Sequence, residues 1–142
     1  MYQQVPHRPL ILAFCVIALT VLPALPAHGQ SSVRSQDYFR DLTALAEVLG
    51  KAHAIRKLCT DPNPDNVWRN YMLRLLEMEA PYEGGLRQSL FNGFNAGYLV
   101  SIDAHPSCDS RARSAERGYA AEGRDLSARL VQSTIPRAAR RR

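Results

Sequence analysis

The segment DYFRDLTALAEVLGKAHAIRKLC, residues 37–59, decides the fold of this chain. Its apolar side chains recur at steps of three and four residues, which is the spacing of one buried stripe on an α-helix. The positions of this stripe are Tyr38, Leu42, Leu45, Leu49, Ala52 and Ile55. Ser35 or Asp37 can cap the start of the helix, and the segment ends at Cys59. We therefore predict an amphipathic helix with a cysteine at its C-terminal end.

Three further segments show the same helical spacing. Their apolar positions are Trp68, Tyr71, Met72, Leu75 and Leu76 in the second segment, Leu86, Leu90, Phe91, Phe94, Tyr98 and Ile102 in the third, and Ala112, Ala115, Tyr119, Leu126 and Leu130 in the fourth. No part of the chain alternates apolar and polar residues over a sustained run, as a half-buried strand would. We therefore predict an all-α domain, an antiparallel four-helix bundle, because the connections between the helices are short.

Turn-forming residues separate these helices. The sequence TDPNPDN at 60–66 ends the first helix, and Pro81 with Gly84–Gly85 ends the second. His105–Pro106 stops the third helix. The residues that can cap the helices after these breaks are Asp65 or Asn66 for the second helix and Asp109 or Ser110 for the fourth.

A secretion signal is predicted at residues 1–29. A basic start precedes the uncharged run from Leu10 to Leu22, and small residues follow that run, which is the pattern of a cleavable signal peptide. A helix over this run would cover about 20 Å, less than the roughly 30 Å hydrocarbon core of a bilayer. We expect cleavage after Gly29, with Ala27 as the second choice, and no transmembrane span afterwards. An uncleaved anchor is the alternative.

The chain has three cysteines, and removal of the signal leaves Cys59 and Cys108. An even number in an oxidising compartment indicates one structural disulfide. In an up-down-up-down bundle, the end of the first helix and the start of the fourth lie at one pole, so the two Cα atoms can come within the roughly 4.4–6.8 Å that a disulfide requires. A redox pair or a metal site is the alternative. His53 and His105 match no zinc spacing, and we expect neither a metal nor a cofactor.

The basic character of the chain is concentrated at its C-terminus. The sequence holds 18 Lys and Arg residues against 13 Asp and Glu residues, but Arg8 leaves with the signal and four arginines lie between Arg137 and Arg142. The segment from Gln30 to Ile135 therefore holds 13 Lys and Arg residues against 13 Asp and Glu residues and is neutral, so we expect no nucleic-acid partner. Within it we expect a polar leader at 30–35 and the helical domain at 36–134. The tail at 135–142 is expected to be disordered. Its alternative role is to contact an envelope protein or an anionic envelope component.

The segment FNGFNAGY at 91–98 is unusual for a helix interior because it holds two glycines, each costing about 1 kcal/mol relative to alanine. Gly93 and Gly97 lie on one face, where they allow a neighbouring backbone to approach closely. The alternative interpretation is a groove for a ligand or a partner segment. The candidate residues of that groove are His53, Arg56, Glu79, Asn92, Asn95, Tyr98 and Arg124.

The ordered set of residues from the first helix to the fourth resembles an uncharacterised family of small exported proteins from alphaproteobacteria. The resemblance covers about residues 42–130. It rests on Leu49-Gly50 with His53, Arg56, Leu58 and Cys59; on Trp68-Arg69 with Met72, Leu75, Leu76, Glu79 and Pro81; on Phe94-Asn95 with Gly97-Tyr98; and on Cys108 with Ala112, Ala115-Glu116 and Gly123-Arg124. The family is a domain of unknown function with two cysteines thought to form a disulfide. The resemblance implies an exported, disulfide-bonded domain and no particular activity.

Three functions fit these observations. The first is a periplasmic binding or structural module of the cell envelope, favoured because no catalytic residues are predicted and no catalytic motif is present. The second is an envelope-acting enzyme with a site at His53, Glu79 and Asn95. The third is a carrier of a small ligand that uses the aromatic side chains; it needs a pocket of several hundred Å³, which we do not expect a tightly packed bundle to leave.

Overall fold

A computed structural model describes residues 34–60 and 66–135. This part of the chain forms four helices and contains no strand: α1 is Gln36–Cys59, α2 is Val67–Glu79, α3 is Gly85–Ala104 and α4 is Ser110–Thr134. The predicted all-α class and the helical bundle are confirmed. The predicted secretion signal and the arginines of the tail lie outside the described residues. No helix in the described part combines the length and the apolar character that a membrane span requires.

The predicted caps are present at two of the helix starts. The Ser35 hydroxyl accepts a hydrogen bond from the backbone N–H of Tyr38 at 3.2 Å. The Asp109 carboxylate accepts one from the backbone N–H of Ala112 at 2.8 Å, and this bond holds the pKa of Asp109 below its usual value. Each side chain satisfies a backbone donor that has no partner within its own helix. Asn66 precedes α2 without a capping side-chain bond.

Helix α1 is the centre of the fold. It packs against α2, α3 and α4, whereas no Cα atom of α4 lies within 8 Å of a Cα atom of α2 or α3. The six predicted stripe positions of α1 are all buried, and its middle is also buried at Ala46, Val48 and Ala54. The side that carries Thr43, Glu47 and Lys51 stays partly exposed, and an apolar surface as wide as the rest is one that several elements cover. The sequence stripe therefore identified only part of the buried surface of α1.

Two of the predicted core positions on the other helices are wrong. Tyr71 of α2 is 50% exposed and Ile102 of α3 is 43% exposed. Both residues belong to helices that pack on α1 along one side only. Tyr71 faces an open gap between α2 and α4, and Ile102 lines a shallow pocket with Leu58 near the end of α1. On α2 and α3 the apolar stripe is wider than the surface that packs against α1, so the residues at the edge of the stripe remain exposed to solvent.

Glycines bring α1 and α3 into close backbone contact. A Cβ atom at Gly50 would overlap the carbonyl oxygen of Phe94, and one at Gly97 would overlap the carbonyl oxygen of Glu47. A Cβ atom at Gly93 would lie 3.2 Å from the carbonyl oxygen of Thr43. A Cβ atom at Gly50 would also lie 3.0 Å from the backbone nitrogen of Tyr98. The pairs Thr43 with Gly93, Glu47 with Gly97 and Gly50 with Tyr98 therefore rise together along both helices, so α1 and α3 run parallel. The glycines of α3 therefore serve helix packing, the first of their two predicted roles.

We predict that Gly97→Ala lowers the free energy of unfolding by about 2 kcal/mol or more, because the added methyl group meets backbone that cannot move aside. The matched control is Gly118→Ala on α4. A Cβ atom at Gly118 meets nothing within 4 Å, so this change should raise stability by up to about 1 kcal/mol through helix propensity alone. Urea unfolding followed by circular dichroism measures both. Equal stability of the two variants would contradict the close contact.

The predicted disulfide is present between Cys59 and Cys108, whose Cα atoms are 5.1 Å apart. It joins the end of α1 to the residues just before α4. Three pairs connect α1 with α4: Cys59 with Cys108, Arg56 with Glu116, and Asp41 with Arg129. The residue numbers of these pairs fall along α1 as they rise along α4. Helices α1 and α4 are therefore antiparallel, as the up-down-up-down arrangement requires.

We expect the double change Cys59→Ser with Cys108→Ser to lower the free energy of unfolding by about 4 kcal/mol. The bond closes a loop with a sequence separation of 49 residues, and the loop entropy that it removes from the unfolded chain has about this value. Thermal unfolding of the oxidised protein, the reduced protein and the double variant provides the measurement. The reduced protein and the double variant should have the same midpoint of thermal unfolding. A reduced protein as stable as the oxidised one would contradict the stabilising role of the disulfide.

Candidate functional site

The gap between α2 and α4 forms an open cavity of about 690 Å³. Both helices pack on α1 but do not approach each other closely, so α1 forms the floor of the cavity and the two helices form its walls. The floor consists of Leu45, Val48, Leu49 and Ala52; the α2 wall consists of Trp68, Tyr71, Arg74, Leu75 and Met78; and the α4 wall consists of Tyr119, Ala120, Gly123, Arg124 and Ser127. We call this space the α2/α4 cavity.

Small residues on α4 keep the α2/α4 cavity open. Ala120 and Gly123 lie on the wall that faces α2. A Cβ atom at Gly123 would meet Val48 at 3.7 Å and Leu45 at 3.8 Å, which is ordinary van der Waals contact. A larger side chain at either α4 position would therefore extend into the cavity. The opposite wall carries the large side chains of Trp68 and Tyr71, whose ring centroids are 6.0 Å apart.

A shared carboxylate links the three helices near the disulfide. Glu116 of α4 accepts a hydrogen bond from Arg56 Nε at 2.7 Å and another from Trp68 Nε1 at 2.8 Å. Glu116 is mostly shielded from solvent, and a charged partner strengthens both bonds. The indole of Trp68 is thus held in one orientation at the edge of the cavity, and Arg56, a predicted groove residue, supports it through Glu116.

The charged side chains that line the cavity are both arginines, Arg74 on α2 and Arg124 on α4. Neither forms an ion pair with a carboxylate of the described residues. Beside them Tyr71 and Met78 are exposed, Met78 to 70%. The cavity therefore combines an apolar interior with two available cations on its walls.

His53 lies away from this cavity, in the contact between α1 and α3. It is 8% exposed, and its ring packs 5.7 Å from that of Phe94 and 5.9 Å from that of Tyr98. Its Nδ1 atom has no hydrogen-bond partner within the described part of the chain. Burial lowers the pKa of His53, and the nearby charges of Lys57 and Arg69 lower it further. The imidazole is therefore neutral at pH 7 and shielded from a reactant.

The lowered pKa of His53 predicts a loss of stability in acid. The unfolded chain binds a proton at this residue near pH 6.5, whereas the folded protein binds it only at lower pH, so stability is complete above about pH 6.5 and falls as the pH drops. We expect His53→Leu to lose less stability than the wild type between pH 7.5 and pH 5.5, measured by urea unfolding. An identical loss in both proteins would show that His53 does not contribute.

The remaining predicted groove residues do not gather at one place. Glu79 lies at the end of α2, where it pairs with Arg34 and the hydroxyl of Tyr38. Burial and Glu79 raise the pKa of Tyr38 to about 12. Asn92 and Asn95 are exposed on α3, and Asn92 accepts a hydrogen bond from Gln88 at 3.0 Å. Of the seven predicted residues, Arg124 alone lines the α2/α4 cavity.

These positions do not support the predicted enzyme site at His53, Glu79 and Asn95. Glu79 contacts Tyr38 near the start of α1, and His53 lies 15 residues further along that helix, which is about 22 Å at the helical rise. General acid–base chemistry needs its groups within hydrogen-bond reach of one substrate. The structure places the imidazole and the carboxylate at separate ends of the domain.

Sequence reasoning assigned the aromatic side chains of the cavity to the core. Trp68 and Tyr71 have the spacing of a buried stripe, and Tyr119 has the same spacing on α4. The signal that could have distinguished them is the contrast between the large residues of α2 and the pair Ala120 and Gly123 on α4. The small side chains of Ala120 and Gly123 supply little volume to fill the space opposite Trp68 and Tyr71.

A family described as "Protein of unknown function (DUF2385)" matches residues 37–133, and the chain belongs to this family. The match confirms the predicted resemblance to a domain of unknown function. It gives no information on the bacterial source or on the disulfide that the resemblance implied. No curated protein and no solved structure matches the chain.

Proposed function

We propose that this protein is an extracytoplasmic binding module and that the apolar part of its ligand lies in the α2/α4 cavity. The observation that carries the proposal is the open, aromatic-lined space between two helices that both rest on α1. This is the carrier function among the three predicted. A tightly packed bundle was expected to leave no room for it, and the separation of α2 from α4 provides that room.

The dimensions and lining of the cavity support this proposal. Small-molecule sites occupy about 300–1,000 Å³ and combine a mainly apolar surface with a few polar groups that orient the ligand. The α2/α4 cavity has a volume of about 690 Å³. Three aromatic rings line it, those of Trp68, Tyr71 and Tyr119, together with two guanidinium groups.

The disulfide supports the extracytoplasmic part of the proposal. Disulfides persist in oxidising compartments and are rare in the cytosol, and the Cys59–Cys108 bond joins the ends of two long helices. The predicted secretion signal agrees with this compartment. The arginines from Arg137 to Arg142 remain a proposed second contact, with an anionic component of the envelope.

Binding can be tested with a neutral apolar fluorophore, N-phenyl-1-naphthylamine. Trp68 is the single tryptophan of the chain and lines the cavity, so a bound probe should quench its emission and gain fluorescence of its own. We expect saturable binding to the wild type. Gly123→Leu places a side chain in the cavity and should weaken binding at least tenfold.

The matched control is Gly118→Leu, the same change on the same helix at a position with open space around it, and it should bind as the wild type does. Ala120→Phe fills the cavity from a second position and should also weaken binding of the probe. It replaces Gly123→Leu in the test if circular dichroism shows that Gly123→Leu does not fold. A wild type that does not bind the probe, or two folded cavity variants that bind it normally, would refute the proposed function.

A further inference from the structure

We infer that the ligand is a single-chain anionic amphiphile, whose aliphatic chain lies along the floor of the α2/α4 cavity and whose head group pairs with Arg74 and Arg124. This inference rests on the proposed function and names the chemical class of its ligand. Three features carry it: the width of the cavity, the side chains of its floor and the sign of the charges on its walls.

The cavity is too narrow for a helix from a partner protein. Its floor residues Leu45 and Leu49 are only 7% exposed, so the walls stand close over the floor. A helix with its side chains has a diameter of about 10–12 Å, and admitting one would require the floor to be widely open. Trp68 and Glu116 join the walls near one end, although no Cα atom of α2 lies within 8 Å of a Cα atom of α4. The occupant is therefore thinner than a helix.

The floor and the lower walls present aliphatic surface to such an occupant. Leu45, Val48 and Leu49 of α1 face Leu75 and Met78 of α2. Methionine is flexible and adapts to irregular apolar partners, and Met78 is the most exposed of these side chains. Along α2 the lining extends from Trp68 to Met78, a length of about 15 Å at the helical rise. An extended alkyl chain fits this long, thin, apolar shape.

The charges on the walls select an anion. Arg74 and Arg124 line the cavity from its two opposite walls, and among the described residues no carboxylate lines it. Guanidinium groups pair with carboxylate and phosphate through two parallel hydrogen bonds, and their aliphatic stems can cover apolar surface beneath the charge. Glu116, the carboxylate near the Trp68 end, already accepts hydrogen bonds from Arg56 and Trp68. It therefore leaves the two arginines to the ligand.

The same charges disfavour the chain's own arginine tail as the occupant. The segment from Arg137 to Arg142 holds four arginines and no acidic residue, and like charges at close range repel. A separate anionic molecule is the occupant that the charges favour.

The test compares three twelve-carbon probes at concentrations below micelle formation: dodecanoate, dodecanol and dodecyltrimethylammonium. Emission of Trp68 and isothermal titration calorimetry measure binding. We expect dodecanoate to bind at least tenfold more tightly than the cation, with dodecanol between them. Shortening the carboxylate from twelve to ten and eight carbons should weaken binding about fourfold for each methylene that leaves the apolar surface.

The double change Arg74→Gln with Arg124→Gln should weaken dodecanoate binding at least tenfold and leave N-phenyl-1-naphthylamine binding unchanged. The double change to glutamate should reverse the preference toward dodecyltrimethylammonium. The control is Arg69→Gln with Arg117→Gln, which removes two exposed arginines from the same two helices outside the cavity. This control variant should retain the preference for the anion.

The outcomes separate this inference from the proposed function. If the neutral fluorophore binds but dodecanoate binds no better than the cation, or if the glutamate variant keeps the wild-type preference, the ligand class is wrong and the binding site stands. If the fluorophore does not bind to the wild type, the proposed function fails, and this inference fails with it. Binding to phosphatidylglycerol vesicles without binding of free dodecanoate would also overturn the inference, because it would assign the arginines to a membrane surface.

Discussion

The burial of α1 by the other three helices is the constraint on which this structure depends. One helix supplies the surface against which all the others pack, and α4 has no close backbone contact with either α2 or α3. A helix can serve in this way only if its apolar surface covers most of its circumference. The consequence is that the spaces between the outer helices are set mainly by how each one packs on α1.

This arrangement produces a sealed side and an open side. On the α3 side, Gly50 and Gly97 bring two backbones together, and the contact encloses His53 so fully that its Nδ1 atom has no partner among the described residues. On the other side, α2 and α4 remain apart and leave the α2/α4 cavity. His53 on the sealed side is therefore neutral and structural, whereas Arg74 and Arg124 on the open side form no ion pair with a carboxylate of the described residues.

The pole that carries the disulfide holds the open side in place. The bond between Cys59 and Cys108 connects α1 to α4, and Glu116 joins both helices to Trp68 at the start of α2. A covalent link and two charge-assisted hydrogen bonds thus fix the positions of the cavity walls at one end. A small domain with a limited core gains stability from a covalent link, and the hydrogen bond from Trp68 to Glu116 orients the aromatic ring at the edge of the proposed binding site.

Local patterns in the sequence determined the four helices, the breaks between them and the caps at Ser35 and Asp109, because helical period and turn residues act over short distances. The sequence also determined the partner of Cys59, because the number of cysteines and the order of the helices leave Cys108 as its partner. It also identified Arg124 as a candidate. Only the tertiary structure decided that Tyr71 faces a gap, that His53 is enclosed, and that Glu79 lies far from it. Helical periodicity shows which face of a helix is apolar, but the distance to the neighbouring helix depends on how side chains from separate segments interlock.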